Sequence, residues 1–149
     1  MITGRVREIQ TNDYHDIYSL NQDFNPHFKL FSEERVKEKI EIICNRTQDI
    51  IFVFEQNDEV IGYIHGSPFE LLFSDSLINI LGFVVKEGFR NLGIGSRLID
   101  RLEEWAKDNG YAGIKLLSHP SRKSAHRFYE NRGYVFTKDQ MNFIKSWNE

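Results

Sequence analysis

The feature that most constrains the fold of this chain is an apolar run that leads through a glycine-rich turn into a long amphipathic helix. Residues 80–85 read I-L-G-F-V-V, a short and partly β-branched run that predicts a buried strand. The turn at residues 90–95 reads R-N-L-G-I-G, and over residues 94–109 the apolar positions recur every three or four residues, as on one helical face. Gly110 stands where a helix C-terminus favours a left-handed residue. We expect the strand at 112–117 to be a parallel neighbour of the first in a βαβ unit.

The glycine turn has the properties of an anion site. The first-turn amides of a helix have no partner within the helix, and the helix dipole favours negative charge near them. Gly93 and Gly95 remove Cβ atoms that would hinder a close approach to the backbone. The turn therefore suits a phosphate or pyrophosphate, although a glycine turn that binds nothing stays an alternative.

Two widespread phosphate-binding motifs do not fit this turn. A Walker loop continues its second glycine with Lys and Ser or Thr, whereas Gly93 is followed by Ile94 and Gly95. The dinucleotide fingerprint requires a third glycine where this chain has Leu98. What remains is Arg-x-x-Gly-x-Gly after a strand, which resembles the pyrophosphate-binding signature of the GNAT superfamily of N-acetyltransferases.

A second motif strengthens the resemblance. Residues 125–134 contain Ala-x-x-Phe-Tyr-x-x-x-Gly-Tyr, which is similar to the second cofactor motif of the GNAT family and follows the strand at 112–117, as in that family. The resemblance covers essentially the whole chain and is sharpest at residues 80–136. Two positions depart from the common pattern: Glu87 stands where many members have Pro, and Arg122 stands where many have Asn.

The resemblance implies acetyl-CoA as cofactor and assigns roles to residues. The backbone of Phe83 and Val85 would bind the pantetheine arm, the amides of residues 90–96 would wrap the pyrophosphate, and Gly82 would mark a β-bulge. A backbone N–H at Val84 or Val85 would stabilise the oxyanion. Arg122 either reaches a CoA phosphate or is a solvated helix start. The predicted cofactor-binding residues are Phe83, Val84, Val85, Arg90, Asn91, Leu92, Gly93, Ile94, Gly95, Ser96, Arg122, Ala125 and Phe128.

The implied reaction is the direct attack of a neutral amine on the acetyl thioester. Tyr129 stands where the family often has a tyrosine that faces the sulfur, so we expect it to donate a hydrogen bond to the departing thiolate first and a proton second. Ala125, Phe128 and Tyr129 also share one helical face, so simple packing is the alternative.

A base is expected, because a protonated amine cannot attack. The strand before the glycine loop begins L-I-N-I at residues 77–80 and has no carboxylate, although some family members place a Glu there. The candidates are His65, His119, Glu70 and Asp75, and a chain of waters without a single base stays open. The predicted catalytic residues are Tyr129, His65 and His119.

The acceptor is expected to be a primary amine of a small molecule or peptide. In this fold the first two helices and the loop after the central hairpin shape the acceptor pocket, which indicates residues 23–33 and 67–76. Carboxylates there could attract a cationic amine: Asp23, Glu33, Glu70 and Asp75. A non-catalytic acyl-CoA-binding module and an interaction protein whose glycine turn binds nothing are the two alternatives.

The order of predicted elements describes a single α/β (α+β) domain over residues 1–149. We expect a mixed, mostly antiparallel sheet of six or seven strands with a central parallel pair, flanked by about four helices. Predicted helices lie at residues 11–24, 32–44, 94–109 and 121–131, and predicted strands at 4–9, 50–55, 60–65, 80–85, 112–117, 134–136 and 141–147. Residues 67–76 are expected to form an apolar loop, and Cys44 is expected in the core on the face of Ile40 and Ile43.

Composition excludes several classes of protein. The chain of 149 residues contains no apolar run near the ~20 residues of a membrane span and no signal-peptide pattern, so we expect a cytoplasmic protein without a membrane partner. Its net charge of −3 lacks the basic field of a nucleic-acid binder. Residues 1–60 carry a net charge of −5 and residues 61–149 a net charge of +2. The basic second part would suit an anionic cofactor, and an ordinary uneven distribution of surface charge is the alternative. We expect no metal site, and a homodimer through residues 69–73 or the C-terminal strand is open.

Overall fold

The computed structural model describes residues 3–147, which fall into two compact units, Met1–Leu116 and Leu117–Glu149. The first unit contains a sheet with the strand order β1-β2-β3-β4-β5 and three α-helices. Its strands are β1 (Arg5–Glu8), β2 (Ile50–Gln56), β3 (Glu59–Phe69), β4 (Leu77–Val85) and β5 (Ile114–Leu116). Its helices are α1 (Tyr14–Phe24), α2 (Glu33–Arg46) and α3 (Ile94–Asp108), with short 3-10 helices at Thr11–Asp13 and Pro26–Leu30. The second unit contains α4 (Lys123–Asn131).

The sheet is mostly antiparallel, and β4 and β5 form the expected parallel pair. The tight turn between β2 and β3 has Asn57 and Asp58 at positive φ (52° and 63°), the conformation that two-residue hairpins favour. The hairpin register is interrupted once, by a bulge at Phe54/Glu55. The α/β architecture with four α-helices agrees with the prediction within the described residues.

The prediction of six or seven strands is wrong, because residues 3–147 form five. The expected strands at 134–136 and 141–147 are absent, so the parallel pair lies at the edge of the sheet instead of its centre. Apolar side chains in this segment, including Val135, Phe143 and Trp147, are 80–82% exposed. Alternation in the sequence predicts a strand only where a neighbouring strand completes the hydrogen-bond ladder, and the sequence cannot supply that condition.

Helices cover both faces of the sheet. On one face, apolar residues of α1 and α2 pack against Val53, Val60 and Val84 of the three middle strands. On the other face α3 lies close to β3, because a Cβ at Gly62 or Gly66 would come within 3.3 Å or 2.9 Å of a leucine methyl group of α3. Since strand residues alternate between faces, the side chains of β3 that flank these glycines face α1 and α2.

Two local predictions are corrected. Strand β3 extends to Phe69, so the loop between β3 and β4 comprises only residues 70–76. Cys44 is exposed, not buried, because α2 buries Val36 and Ile40 in its first half and continues beyond the core. The expected start of α2 is confirmed, since Ser32 caps it by accepting the backbone N–H of Arg35 at 3.3 Å.

Candidate active site

A bulge interrupts β4 at the centre of the candidate site. His65 of β3 lies opposite Gly82, but the next residue, Gly66, lies opposite Ile80, so Leu81 is the extra residue. The bulge therefore lies directly beside Gly82, where the sequence resemblance placed it. Gly82 is needed there because a Cβ would come within 3.2 Å of the Tyr63 ring. An extra residue bends a strand and re-aims the groups that follow it.

Strand β4 continues beyond its parallel partner after this bulge. Strand β5 pairs with Ile78–Ile80 and ends opposite Ile80, whereas β4 runs on to Val85. The backbone N–H of Lys86 donates to the Ile61 carbonyl on the β3 side at 2.8 Å. Because backbone groups alternate along a strand, those of Val84 face β3, and those of Phe83 and Val85 face the opposite edge. This alternation favours Val85 over Val84 as an N–H donor at that edge.

The glycine loop connects β4 to α3 through three residues at positive φ. These are Gly88 (89°), Asn91 (65°) and Gly93 (88°), and left-handed residues in such turns direct backbone N–H groups into concave anion sites. Gly93 is the N-cap of α3, and the first helical hydrogen bond runs from the Arg97 N–H to its carbonyl at 3.1 Å. The three N–H groups of residues 94–96 therefore have no acceptor within the helix. A Cβ at Gly93 would meet no atom within 4 Å, so the loop surface there is open.

The side chain of Arg90 links the glycine loop to β4 and α1. Its Nε donates to the Val85 carbonyl at 2.9 Å, and its Nη2 lies 3.4 Å from Oδ2 of Asp23 on α1. The same Asp23 oxygen accepts the backbone N–H of Glu87 at 2.7 Å. A proline at position 87, which the family pattern favours, has no N–H to donate. The departure at Glu87 therefore supplies a tie between α1 and the loop.

A cleft of about 340 Å³ lies beside this tie. Its carboxylates are engaged by the protein: Asp16 accepts the Val60 N–H at 3.0 Å, and Glu59 pairs with Lys86 at 2.5 Å. The cleft is lined by His15, Asp16, Ser19, Leu20, Asp23, Glu59, Val60 and Lys86.

The carboxylates expected in the acceptor pocket do not converge on one point. Asp23 accepts the Glu87 N–H of the glycine loop, Glu33 pairs with His15 at 3.1 Å, and Glu70 accepts the hydroxyl of Ser76. The side chain of Asp75 forms no hydrogen bond or ion pair with the other residues of 3–147. Each of the first three carboxylates therefore has a partner within its own unit.

His65 belongs to a polar cluster next to the bulge. Its Nε2 lies 2.8 Å from Oδ2 of Asp49, and Oδ1 of Asp49 accepts the Ser67 hydroxyl at 2.7 Å. The side chains of His65 and Asp49 are 15% and 12% exposed. Sequence reasoning found His65 but missed Asp49. The hairpin register, which pairs Ile51 with His65, is the signal that would have placed residue 49 near residue 67.

His119, the other candidate histidine, forms hydrogen bonds with a near neighbour in the second unit. Its Nδ1 accepts the backbone N–H of Ser121 at 3.1 Å and lies 2.8 Å from the Ser121 hydroxyl. Because that N–H requires a lone pair on Nδ1, the neutral ring carries its proton on Nε2. His119 therefore lacks a ring nitrogen that is both unprotonated and uncommitted, which weakens it as a base.

Tyr129 lies on α4 among aromatic neighbours of its own unit. Its ring makes edge contacts with Phe128 and Tyr134, at centroid distances of 5.5 Å and 5.9 Å. Gly133 ends the helix at φ 90° and turns the chain back, so that the Tyr134 N–H donates to the Tyr129 carbonyl at 3.0 Å. Burial raises the pKa of Tyr129, and the charge of Arg122 opposes that rise only in part. The phenol therefore stays protonated at neutral pH.

The remaining second-motif residues occupy the same short helix. Arg122 is the exposed N-cap of α4, and Ala125 and Phe128 are half-buried. Within residues 3–147 no group of three His, Cys, Asp or Glu side chains is arranged to hold a metal ion. No helix in the same part of the chain is long and apolar enough to cross a membrane.

Comparison with known proteins gives consistent matches. Residues 14–134 match the profile described as the acetyltransferase (GNAT) family. An uncharacterized N-acetyltransferase, YhfO of Bacillus subtilis (strain 168), is 26% identical over 132 residues, covering 87% of this chain and 88% of YhfO. A putative acetyltransferase from Agrobacterium tumefaciens C58 has the same fold with a TM-score of 0.85 at 20% identity, over 95% of this chain and 99% of that one. The aminoglycoside N-acetyltransferase AAC(6')-Iy in complex with CoA has a TM-score of 0.82 at 16% identity, over 96% and 95%.

Proposed function

Because the chain belongs to the acetyltransferase (GNAT) family, and is therefore an acyltransferase, we propose that it transfers the acetyl group of acetyl-CoA to a primary amine of a small molecule or peptide. The observation that carries the proposal is the continuity within one unit of the β4 bulge, the part of β4 that runs on beyond its pairing with β5, and the glycine loop. A CoA molecule needs both parts, because its pantetheine arm is an extended amide chain and its pyrophosphate is an anion.

The cofactor would be held mainly by backbone groups. The N–H groups of residues 94–96 suit the pyrophosphate, since they lack helical acceptors and lie at the positive end of the α3 dipole. The backbone groups of Phe83 suit the pantetheine amides, in the manner of an added strand, together with the Val85 carbonyl, which has a second lone pair besides the one that accepts from Arg90. Arg122, Ala125 and Phe128 keep the roles that the second motif implies. When bound, the cofactor supplies an activated acyl group as a thioester.

Two residues would stabilise the charge that develops during acyl transfer. The N–H of Val85 suits the oxyanion, because it lies on the side of β4 that faces away from β3. Tyr129 would donate a hydrogen bond to the thiolate. Full proton transfer from a reference tyrosine (pKa ~10) to a thiolate (pKa ~8.5) is uphill by about 2 kcal/mol. Burial raises the pKa of Tyr129 further, which favours the hydrogen bond over transfer.

The choice of acceptor is tested best with a small panel of amines. Structural neighbours are named as an aminoglycoside N-acetyltransferase and a glucosamine-6-phosphate N-acetyltransferase. The panel therefore contains an aminoglycoside and glucosamine 6-phosphate, with a diamine and a short peptide as members of other amine classes. A cationic acceptor would be consistent with the acidic side chains of Asp23 and Glu33 near the ends of the segment between α1 and α2.

The first experiment is a series of thermal melts with acetyl-CoA, CoA and ATP. A ligand at about 100 times its Kd stabilises a protein by about 2.7 kcal/mol, which moves the midpoint by several degrees. We expect a shift with acetyl-CoA and CoA and none with ATP. No shift with either CoA species at millimolar concentration would contradict the proposal.

Turnover then separates an enzyme from a binding module. We expect thiol release with at least one amine of the panel, and a kcat about tenfold lower in Tyr129→Phe with an unchanged melt shift by CoA, because only a charge that develops in the transition state is affected. Tyr111→Phe is the matched control, since Tyr111 stacks on Trp105 within the first unit and belongs to neither cofactor motif. A melt shift without turnover on any amine would favour the non-catalytic acyl-CoA-binding module.

A further inference from the structure

We propose that Asp49 positions His65 as the general base of acyl transfer, with Nδ1 of His65 as the proton acceptor. The proposal rests on the function proposed above and adds the residue that sets the tautomer of the base. Asp49 was not singled out by the sequence motifs, because it lies in the segment between α2 and β2, remote from both.

The contacts of the cluster fix which nitrogen of His65 is available. Asp49 Oδ2 lies 2.8 Å from Nε2, and a carboxylate can only accept, so Nε2 carries the proton and Nδ1 carries the lone pair. Ser67 donates to the other carboxylate oxygen at 2.7 Å and so restrains the rotation of the carboxylate. No hydrogen bond to Nδ1 is present among residues 3–147, which leaves that nitrogen to accept a proton from outside the cluster.

The position of His65 in the sheet is suited to this role. His65 pairs with Gly82, the residue beside the bulge, and its side chain lies on the face that α1 and α2 cover. Just beyond that point, the backbone groups of Phe83 and Val85 face the side of β4 away from β3. The two cross-strand neighbours of His65, Ile51 and Gly82, carry no charge, and Asp49 is the charged group in contact with it within the described chain.

The proton balance of the step is simple. His65 Nδ1 takes one proton from the ammonium group of the acceptor, directly or through water, and the amine nitrogen attacks the thioester carbon. The new C–N bond forms, the C–S bond breaks, and the second proton of the amine goes to the thiolate. His65 then returns its proton to solvent, and the carboxylate of Asp49 stabilises the imidazolium in the interval.

The decisive variant is Asp49→Asn, because it keeps the size of the side chain and changes its hydrogen bonding. An amide that accepts the Ser67 hydroxyl on Oδ1 presents its NH₂ to Nε2, which forces the proton of His65 onto Nδ1. We expect a kcat about 10²- to 10⁴-fold lower, since that range is what a positioned base contributes. His65→Gln should lower kcat by a similar factor and remove the acid limb of kcat against pH. Ser67→Ala should have a smaller effect of about two- to fivefold, because the contact to His65 survives.

A measurement that needs no acceptor tests the dyad directly. Long-range ¹⁵N–¹H correlation spectra of protein with ¹⁵N-labelled histidine report which ring nitrogen carries the proton, and His65→Gln assigns the signal. We expect Nε2–H in the wild type and Nδ1–H in Asp49→Asn. Asp16→Asn is the matched control, because it alters a carboxylate on the same face of the sheet whose partner is a backbone N–H.

The outcomes separate this inference from the proposed function. A wild-type His65 with its proton on Nδ1, or an Asp49→Asn variant with an unchanged tautomer, would overturn the dyad even if acetyl-CoA binds and turns over. An Asp49→Asn variant that loses thermal stability but keeps kcat and its pH profile would reduce Asp49 to a structural tie. Absence of CoA binding would instead contradict the proposed function and leave the spectra to decide the tautomer.

Discussion

Two aspartates in the first unit make similar contacts with opposite chemical consequences. Asp23 at the end of α1 accepts the N–H of Glu87 and lies near the guanidinium of Arg90, whereas Asp49 accepts from Ser67 and meets the ring of His65. The partners of Asp23 do not change protonation near neutral pH, because one is a backbone amide and the other an arginine. The partner of Asp49 is a histidine, whose neutral ring exists in two tautomers.

This difference indicates that the two aspartates have different functions. A carboxylate between groups of fixed protonation holds geometry, so Asp23 fixes the glycine loop against α1. A carboxylate against an imidazole selects a tautomer and responds to a proton, so Asp49 prepares His65 for chemistry. Substitution of Asp23 should therefore lower the affinity for the cofactor, whereas substitution of Asp49 should lower turnover.

The largest loss of cofactor affinity is expected for Gly93→Ala, which tests whether the loop end holds the cofactor. At φ 88° an alanine is strained, and its Cβ would project into the open space over the loop. We expect acetyl-CoA to bind about 5- to 150-fold more weakly by calorimetry, which corresponds to a strain of roughly 1–3 kcal/mol expressed in binding.

Gly110→Ala is the control for that strain. Gly110 has φ 81° at the C-terminus of α3 and, like Gly93, has no atom within 4 Å of its would-be Cβ. The two substitutions should lower the midpoint of thermal unfolding similarly, while Gly110→Ala leaves the affinity for acetyl-CoA unchanged. Equal losses of affinity in both variants would mean that α3 as a whole was perturbed and that the loop has no special role.

The next-largest effect on affinity is expected at Asp23, and it is compared with the effect of replacing Asp49. Asp23→Ala removes the acceptor of the Glu87 N–H, and a hydrogen bond to a carboxylate contributes roughly 1.5–3 kcal/mol before screening. We expect an about tenfold weaker affinity for acetyl-CoA with an unchanged pH profile of kcat. Asp23→Asn, which keeps an acceptor oxygen, should lose only about threefold, because the Arg90 contact it weakens is largely exposed. Asp49→Asn should show the reverse, with normal affinity and impaired turnover.

The smallest functional effect is expected at Tyr63 of β3, whose ring lies against Gly82. Tyr63 donates its hydroxyl to Asn21 of α1 at 2.6 Å, and burial raises its pKa to about 12. Tyr63→Phe should change acetyl-CoA affinity and kcat less than about twofold, and lower the free energy of unfolding at neutral pH by about 1 kcal/mol. A larger loss of affinity or turnover would mean that the two sites are coupled through this residue.

The same variant has a signature at alkaline pH. The pKa of Tyr63 is higher in the folded than in the unfolded chain, so its contribution to stability is complete below about pH 10 and is lost as the pH rises to about 12. The free energy of unfolding should therefore fall more steeply over that window in the wild type than in Tyr63→Phe. Urea unfolding at several pH values measures the two slopes, and parallel slopes would exclude the buried phenol as the cause.

Local patterns in the sequence predicted most of the first unit. The periodicity of residues 94–109 and the left-handed position predicted at Gly110 correspond to α3 and its C-terminal end. The parallel pairing of β4 with β5 and the bulge beside Gly82 also agree with prediction. The helix, its C-terminus and the parallel pairing follow from short-range rules of periodicity, helix capping and βαβ handedness, whereas the bulge was implied by the resemblance to the GNAT family.

Predictions that depended on distant neighbours were less successful. Cys44 shares a helical face with Ile40, yet it is exposed, because the core ends before the last turns of α2 do. Apolar stretches predicted strands at 134–136 and 141–147, but neither forms. No residue described in 117–147 is buried, whereas the first unit contains all the buried residues within 3–147. Periodicity reports which side of an element is apolar and not whether another element covers it.

The sequence by itself determined the family, the two motifs and the order of elements from β1 to α4, because each helix, strand and motif is recognised from its own short stretch of residues. Only the tertiary structure decided that Asp49 meets His65, and that Asp23 meets Glu87 and Arg90. Those contacts depend on the register of β2 with β3, which a bulge at Phe54/Glu55 shifts by one residue, and on where α1 ends against the glycine loop. The physical reason is that registers and helix placements are set by the packing of the whole core, which a local pattern does not contain.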